Sequence, residues 1–260
     1  MKYDDVTSNE LRPSRRTVTR AAAWSVPVVA AATAAPAYAA SPCDQRTNQL
    51  LDWDATNVAF SRTSDTAARA SLTPATGIPV LTLDVAASYT GGMKAGYEFP
   101  QNRTNPSLRL ASNVGNLTQS GISLWQSTTS TSPAPTSDTG TYTFTFSRPV
   151  TNLRFTITDI DSATGDFRDA LTLTSGYTAT HPATITRATA AGIGEYFIAT
   201  GENTPTDNTT GAAGNLSVTY AGPISSFTIR YTNSAAAFDN QLDQDQTIYV
   251  SDLRFDYKPC

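Results

Sequence analysis

The chain has 260 residues, a formal net charge of −4 and only two cysteines. Residues 1–39 carry five cations and three anions, so the remainder stands at −6, with Lys94 and Lys258 as its only lysines. A modestly acidic surface without a basic patch argues against nucleic acid as a partner.

The first element is a leader. Ser14 to Arg20 includes the pair Arg15-Arg16, Ala21 to Ala35 is a weakly apolar run, and Ala37-Tyr38-Ala39 supplies small residues for cleavage. This order of charged, apolar and small-residue regions is that of a secretory signal. The arginine pair resembles a twin-arginine export signal. A membrane-spanning helix needs about 20 consecutive, mainly apolar residues. Ser25, Pro27, Thr33 and Pro36 interrupt this run, and no later stretch is long and apolar enough to span. The expectation is a bacterial protein, secreted or at the cell surface, with residues 1–39 removed and 40–260 forming a single domain.

Cys43 follows the leader and Cys260 ends the sequence. Outside the cytoplasm two lone thiols usually pair. Two cysteines alone are no zinc motif, so a Cys43–Cys260 disulfide is expected.

Between them, Thr and Ser make up roughly a quarter of the residues, which suits strands and turns. Period-two alternation recurs at 80–85, 142–146, 153–157, 171–173, 216–220, 227–231 and 248–250. Gly91-Gly92, Asn105-Pro106, Gly176, Gly192, Gly201 and Gly222-Pro223 punctuate these segments. Such spacing marks half-buried strands. The fold expected is all-β, a jelly-roll-like antiparallel β-sandwich.

An internal repeat lies within it. Residues 141–158 align with 215–232 at an offset of 74, matching Phe144, Phe146, Pro149, Val150, Leu153, Phe155 and Ile157 with Val218, Tyr220, Pro223, Ile224, Phe227, Ile229 and Tyr231. Each unit reads strand, proline turn, strand, then an acidic or amide-rich loop. The first loop holds Asp159, Asp161, Asp166 and Asp169, the second Asn233, Asp239, Asn240, Asp243 and Asp245.

Leu51-Asp52-Trp53, the stretch Phe146 to Asp161 and the terminal Val250 to Phe255 resemble an adhesin-like extracellular module of high-GC Gram-positive surface and secreted proteins. The resemblance implies a noncatalytic binding or adhesion module whose partner is an extracellular protein or a glycan. The alternative is a secreted carbohydrate-active protein, either a glycan-binding domain or a glycosidase using Asp.

The sharpest chemical cluster is Asp159, Asp161, Asp166 and Asp169. Hard cations take six to eight oxygen ligands, which makes Ca²⁺ the metal these four suit. The segment is no EF-hand, since Ala163 and Ala170 stand at ligand positions. An Asp-rich turn capping its own backbone is the other account, and Asp161–Arg154 or Asp169–Arg168 ion pairs are further uses. His181 is the only histidine and precedes Pro182 in a Thr-rich segment, so a histidine-based triad has little to stand on. A glycosidase needs two facing carboxylates. Nothing in the sequence pairs any two, and Trp53 and Trp125 are either sugar platforms or core residues.

Overall fold

In the computed structural model the described residues are 43–98, 103–104, 106–239, 242 and 244–260. Residues 1–39, read from the sequence as a leader, lie outside them, as do Asn240 and Asp243. One compact unit runs from Cys43 to Cys260.

The alternating segments form strands as expected, with more between them. The chain opens with β1 (Arg46–Leu51), then β2 (Val58–Ser64), β3 (Ala67–Leu72) and β4 (Leu81–Thr90). Short pieces follow: β5 (Met93–Ala95), β6 (Tyr97–Glu98), β7 (Arg103–Thr104) and β8 (Leu110–Ala111). Next come β9 (Gly121–Thr128), the 20-residue β10 (Thr139–Thr158), β11 (Ser162–Ala163) and β12 (Phe167–Leu173). The rest comprises β13 (Tyr177–Thr180), β14 (Ile185–Ala190), β15 (Gly194–Ala199), β16 (Leu216–Tyr220), β17 (Ile224–Asn233), β18 (Asp245–Ser251) and β19 (Leu253–Tyr257).

All named ladders are antiparallel, and β10 organises them. Its first half pairs with β4 and β17. That layer continues outward as β4–β3–β2 and as β17–β12–β15–β14. Its second half pairs with β16 on one side and with β18 and β19 on the other. That layer adds β13 beside β16, β9 beside β18 and β1 beside β19. The expected sandwich is therefore present, with β10 passing from one layer to the other.

The two repeats meet at this crossing. Phe144 of the first unit faces Phe227 of the second, Leu153 faces Tyr220, and Val150 faces Ile224. Each unit thus sends one arm into each layer and turns at Pro149 or Pro223. Gly222 makes the second turn possible. Its φ is +79°, and a Cβ there would lie 2.7 Å from the Val150 carbonyl oxygen.

Alternation aims the apolar set inward. Tyr142, Phe144, Leu153, Ile157, Phe227, Ile229 and Tyr231 are completely buried. Phe144 stacks on Phe227 at 4.7 Å, and Phe227 on Phe155 of the other layer at 4.8 Å. Such pairs add about 0.5–1.5 kcal/mol each beyond burial.

The ends of the unit are tied. Cys43 and Cys260 form the expected disulfide. Trp53 is fully buried, in a turn after β1 rather than in a strand. Its indole Nε1–H donates to the carbonyls of Val250 and Ser251, at 3.1 and 2.9 Å. The indole thus fixes the start of the domain to the break between β18 and β19. Among the described residues, no helix is long and apolar enough to cross a membrane.

Candidate functional site

The two acidic loops converge. The Asp239 N–H donates to the Gly165 carbonyl at 2.6 Å, joining the second loop to the first. Asn233 Oδ1 accepts from the Arg168 and Ala235 N–H groups, and its Nδ2 donates to the Asp166 carbonyl at 3.0 Å. Arg168 does not pair with Asp169. It bonds Glu202 at 2.7 Å and the carbonyls of Ala199 and Thr200, fastening a third loop to the same end.

Beside this junction opens a cleft of about 210 Å³. Three elements aim residues at it. Cross-strand pairing sets Trp125 of β9 against Thr247 of β18. Thr158, the last residue of β10, pairs with Tyr249, so the chain leaves the sheet at Asp159 right beside that ring. Asp159 turns the chain with a φ of +71°, a conformation Asp and Asn adopt more readily than most residues. The Ile160 N–H then bonds the Gly214 carbonyl at 3.1 Å, and Ile160 is buried. Gly214 permits this approach, because a Cβ would come 2.7 Å from the Ile160 nitrogen. Asp159 and Asp161, flanking the buried Ile160, both line the cleft, with Phe167, Asn208, Asp245, Gln246 and Tyr249.

The carboxyls here are far from their usual titration range. Burial, then the nearby Asp161 and Asp207 charges, push Asp159 up to about 8. Burial pushes Asp161 up to about 6, although its Oδ2 accepts the Thr206 N–H at 2.7 Å. Asp169 is fully buried behind them. It accepts the Tyr231 hydroxyl at 2.5 Å and the Asp161 N–H at 3.1 Å, and burial again drives its pKa upward. Asp166 occupies the turn before β12, where its N–H donates to the Ala163 carbonyl, and it does not line the cleft. The four aspartates singled out by sequence therefore divide: Asp159 and Asp161 face the cleft, Asp169 backs it and Asp166 stands aside. Among the described residues, no group of three or more His, Cys, Asp or Glu side chains is placed to hold a metal ion.

Buried polar atoms are nearly always hydrogen-bonded. Around this cleft several are not: the Trp125 Nε1–H, Asp159 Oδ1, Thr206 Oγ1 and both ends of the Gln246 amide. Gln246 is 2% exposed. A half-buried indole beside unsatisfied donors and acceptors can stack on an apolar face and exchange hydrogen bonds with a polar rim. Sequence inspection passed over Gln246 and Asn208. The signal for Gln246 was present, because it shares a strand face with the buried Ile248 and Val250 and puts an amide where an apolar residue belongs. Asn208, whose amide donates to the Tyr249 hydroxyl at 3.2 Å, carried no such signal. His181 is exposed, with Nδ1 3.0 Å from the Pro182 carbonyl.

The chain matches no known family profile and no curated protein. Among solved structures it is similar to the glucan-binding protein C of Streptococcus mutans, described as mediating sucrose-independent and sucrose-dependent adherence. The match has 6% identity and a TM-score of 0.35, and covers 72% of this chain and 56% of that one. A likeness that distant carries no weight for function.

Proposed function

We propose that this protein is an extracellular, noncatalytic binding module and that the Trp125 cleft takes a glycan. The observation that supports this most is the placing of a half-buried tryptophan and two carboxyls, Asp159 and Asp161, in one cleft. A sugar ring offers a C–H face to an aromatic plane and hydroxyls to carboxyl and amide groups. Trp125 supplies the plane, and Asp159, Asp161 and Asn208 supply the polar partners. The disulfide fits an oxidising location outside the cytoplasm. A glycan array probed with the wild type and with Trp125→Ala tests the assignment. Binding to at least one glycan class, lost in the variant, is expected. Equal binding by both proteins would overturn it.

A second reading draws on the divergence of two neighbouring carboxyls. At neutral pH Asp159 keeps its proton and Asp161 releases most of its own, the pattern of a general acid beside a base. An Asp-dependent glycosidase would release reducing ends from an array-positive glycan and lose that turnover in Asp159→Asn. A binding module releases none. Ca²⁺ is a further proposed partner of the cleft, through Asp159 and Asp161, and it would have to displace the Asp159 proton. Melting that rises with millimolar Ca²⁺ and falls with chelator supports it; melting that ignores both rejects it.

A further inference from the structure

A second cavity, of about 390 Å³, lies where the chain crosses between layers, and it shares no residue with the acidic cleft. The two turn prolines of the repeat, Pro149 and Pro223, form part of its wall. Val150 pairs with both Ile224 and Tyr257, which brings the Tyr257 ring to the same corner. The disulfide closes the wall with Cys260.

The chemistry of this corner is unlike the rest of an acidic protein. Tyr257 is 2% exposed, and its hydroxyl is buried without a hydrogen-bond partner. Arg46 sits opposite Tyr257 in the β1–β19 ladder, and its Nε is likewise buried and unpartnered. Burial pushes the Tyr257 phenol up, and the Arg46 and Arg148 charges pull it partly back. Arg148 is anchored beside the cavity by an Nη1–H bond to the Val80 carbonyl at 3.1 Å, and Lys258 stands exposed at its edge. None of the ion pairs among the described residues uses Arg46, Arg148 or Lys258. The one acidic side chain in the lining, Asp256, is already taken by the Asn48 N–H at 2.6 Å and Asn152 Nδ2 at 2.7 Å. In the β10–β19 ladder Arg154 faces Arg254 directly, a like-charge pair that costs stability.

We propose that this cavity is a binding site for a small organic carboxylate. The carboxylate meets Arg148, Lys258 and the Tyr257 hydroxyl, with Arg46 behind Tyr257 in the ladder, and an apolar body lies against Pro149 and Pro223. Guanidinium forks suit the planar carboxylate. Mainly apolar pockets of a few hundred Å³ with a few convergent polar groups are the usual form of small-ligand sites. A buried hydroxyl without a partner is a burden on the fold unless a ligand satisfies it.

The test uses the full, disulfide-bonded chain with benzoate as probe, followed by calorimetry and NMR, with benzyl alcohol as its neutral counterpart and sulfate as a bare anion. Benzoate is expected to bind in the millimolar range or tighter, and benzyl alcohol about tenfold more weakly or worse. Lys258→Glu, on an exposed side chain that the fold does not need, should weaken benzoate several-fold, and Arg148→Ala more. Tyr257→Phe should also weaken benzoate while leaving the melting temperature unchanged or raised. Absence of benzoate binding, equal binding of benzyl alcohol, or affinity indifferent to Lys258→Glu and Arg148→Ala would each overturn the site. A marked fall in melting temperature for Tyr257→Phe would give the hydroxyl to the fold instead. Sulfate matching benzoate would reduce the site to a plain anion site and overturn the organic-acid assignment.

Discussion

Asp159→Asn should stabilise this protein, and by more as the pH rises. Burial holds the Asp159 carboxyl protonated up to about 8, against an ordinary value of 3.8. Below the ordinary value both folded and unfolded chains carry the proton, and the group adds no difference. Above it the unfolded chain releases the proton while the native one keeps it. The native state then binds more protons, and stability falls with rising pH until the folded pKa is passed. At about 1.4 kcal/mol per pH unit, the wild type loses at most about 4 kcal/mol through this group between about pH 5 and about pH 8. Coupling to Asp161 and relaxation of the loop bring the expected difference nearer to about 2–3 kcal/mol. Asn cannot ionise and tolerates the positive φ of this position, so the substitution adds no backbone strain. Urea denaturation of both proteins at the two pH values reads the effect. The variant's advantage should widen toward alkaline pH, with a residual slope from Asp161 and Asp169, whose pKa values are also raised. Parallel stability curves for the two proteins would refute the burial argument.

Replacing Cys43 and Cys260 together with Ser releases a loop spanning a separation of 217 residues, and thermal melting should show a loss of up to about 5 kcal/mol. Melting unchanged under reducing conditions would contradict that. Phe227→Ala removes a fully buried ring stacked between Phe144 and Phe155, so denaturant unfolding should show about 3–5 kcal/mol lost. A loss under about 1 kcal/mol would mean that the layers do not depend on this stack. Changing Arg15 and Arg16 to Lys should leave precursor inside the cell, and undiminished secretion would point to the general secretory route.

Much of the fold was legible because strand alternation is a local signal. Leu216 to Tyr220 forms β16 as the pattern predicts, and Phe227 to Tyr231 lies within β17. The segments around Phe144 and Phe155 read as two strands, yet they are the two halves of β10. Pro149 bends that strand without ending it, because the turn lies where the layers change. The hairpin of β2 and β3 and the strands β13 and β14 are rich in Ala, Ser and Thr, which give little contrast between faces, and in β15 the apolar Tyr196, Phe197 and Ile198 run together without alternating. The repeat foretold that the acidic loops leave equivalent strands. It was silent on their meeting, which depends on how the two arms fold over one another. The proposed Arg168–Asp169 pair failed because alternation sends neighbours to opposite faces. Arg168 reaches Glu202 and Asp169 turns inward to Tyr231. Pairing of carboxyls across a cleft is likewise a property of packing, which is why Asp159 and Asp161 emerged beside Trp125 only in three dimensions.

The most direct test of the Trp125 cleft is the indole ¹⁵N–¹H spectrum of the full chain, recorded during titration with a glycan positive on the array. Trp53 Nε1–H is locked between two carbonyls, whereas Trp125 Nε1–H has no partner, so the two report separately on core and cleft. The account predicts that the Trp125 signal moves with saturable dependence on glycan while the Trp53 signal stays in place. A glycan that binds and leaves the Trp125 signal unmoved would contradict it.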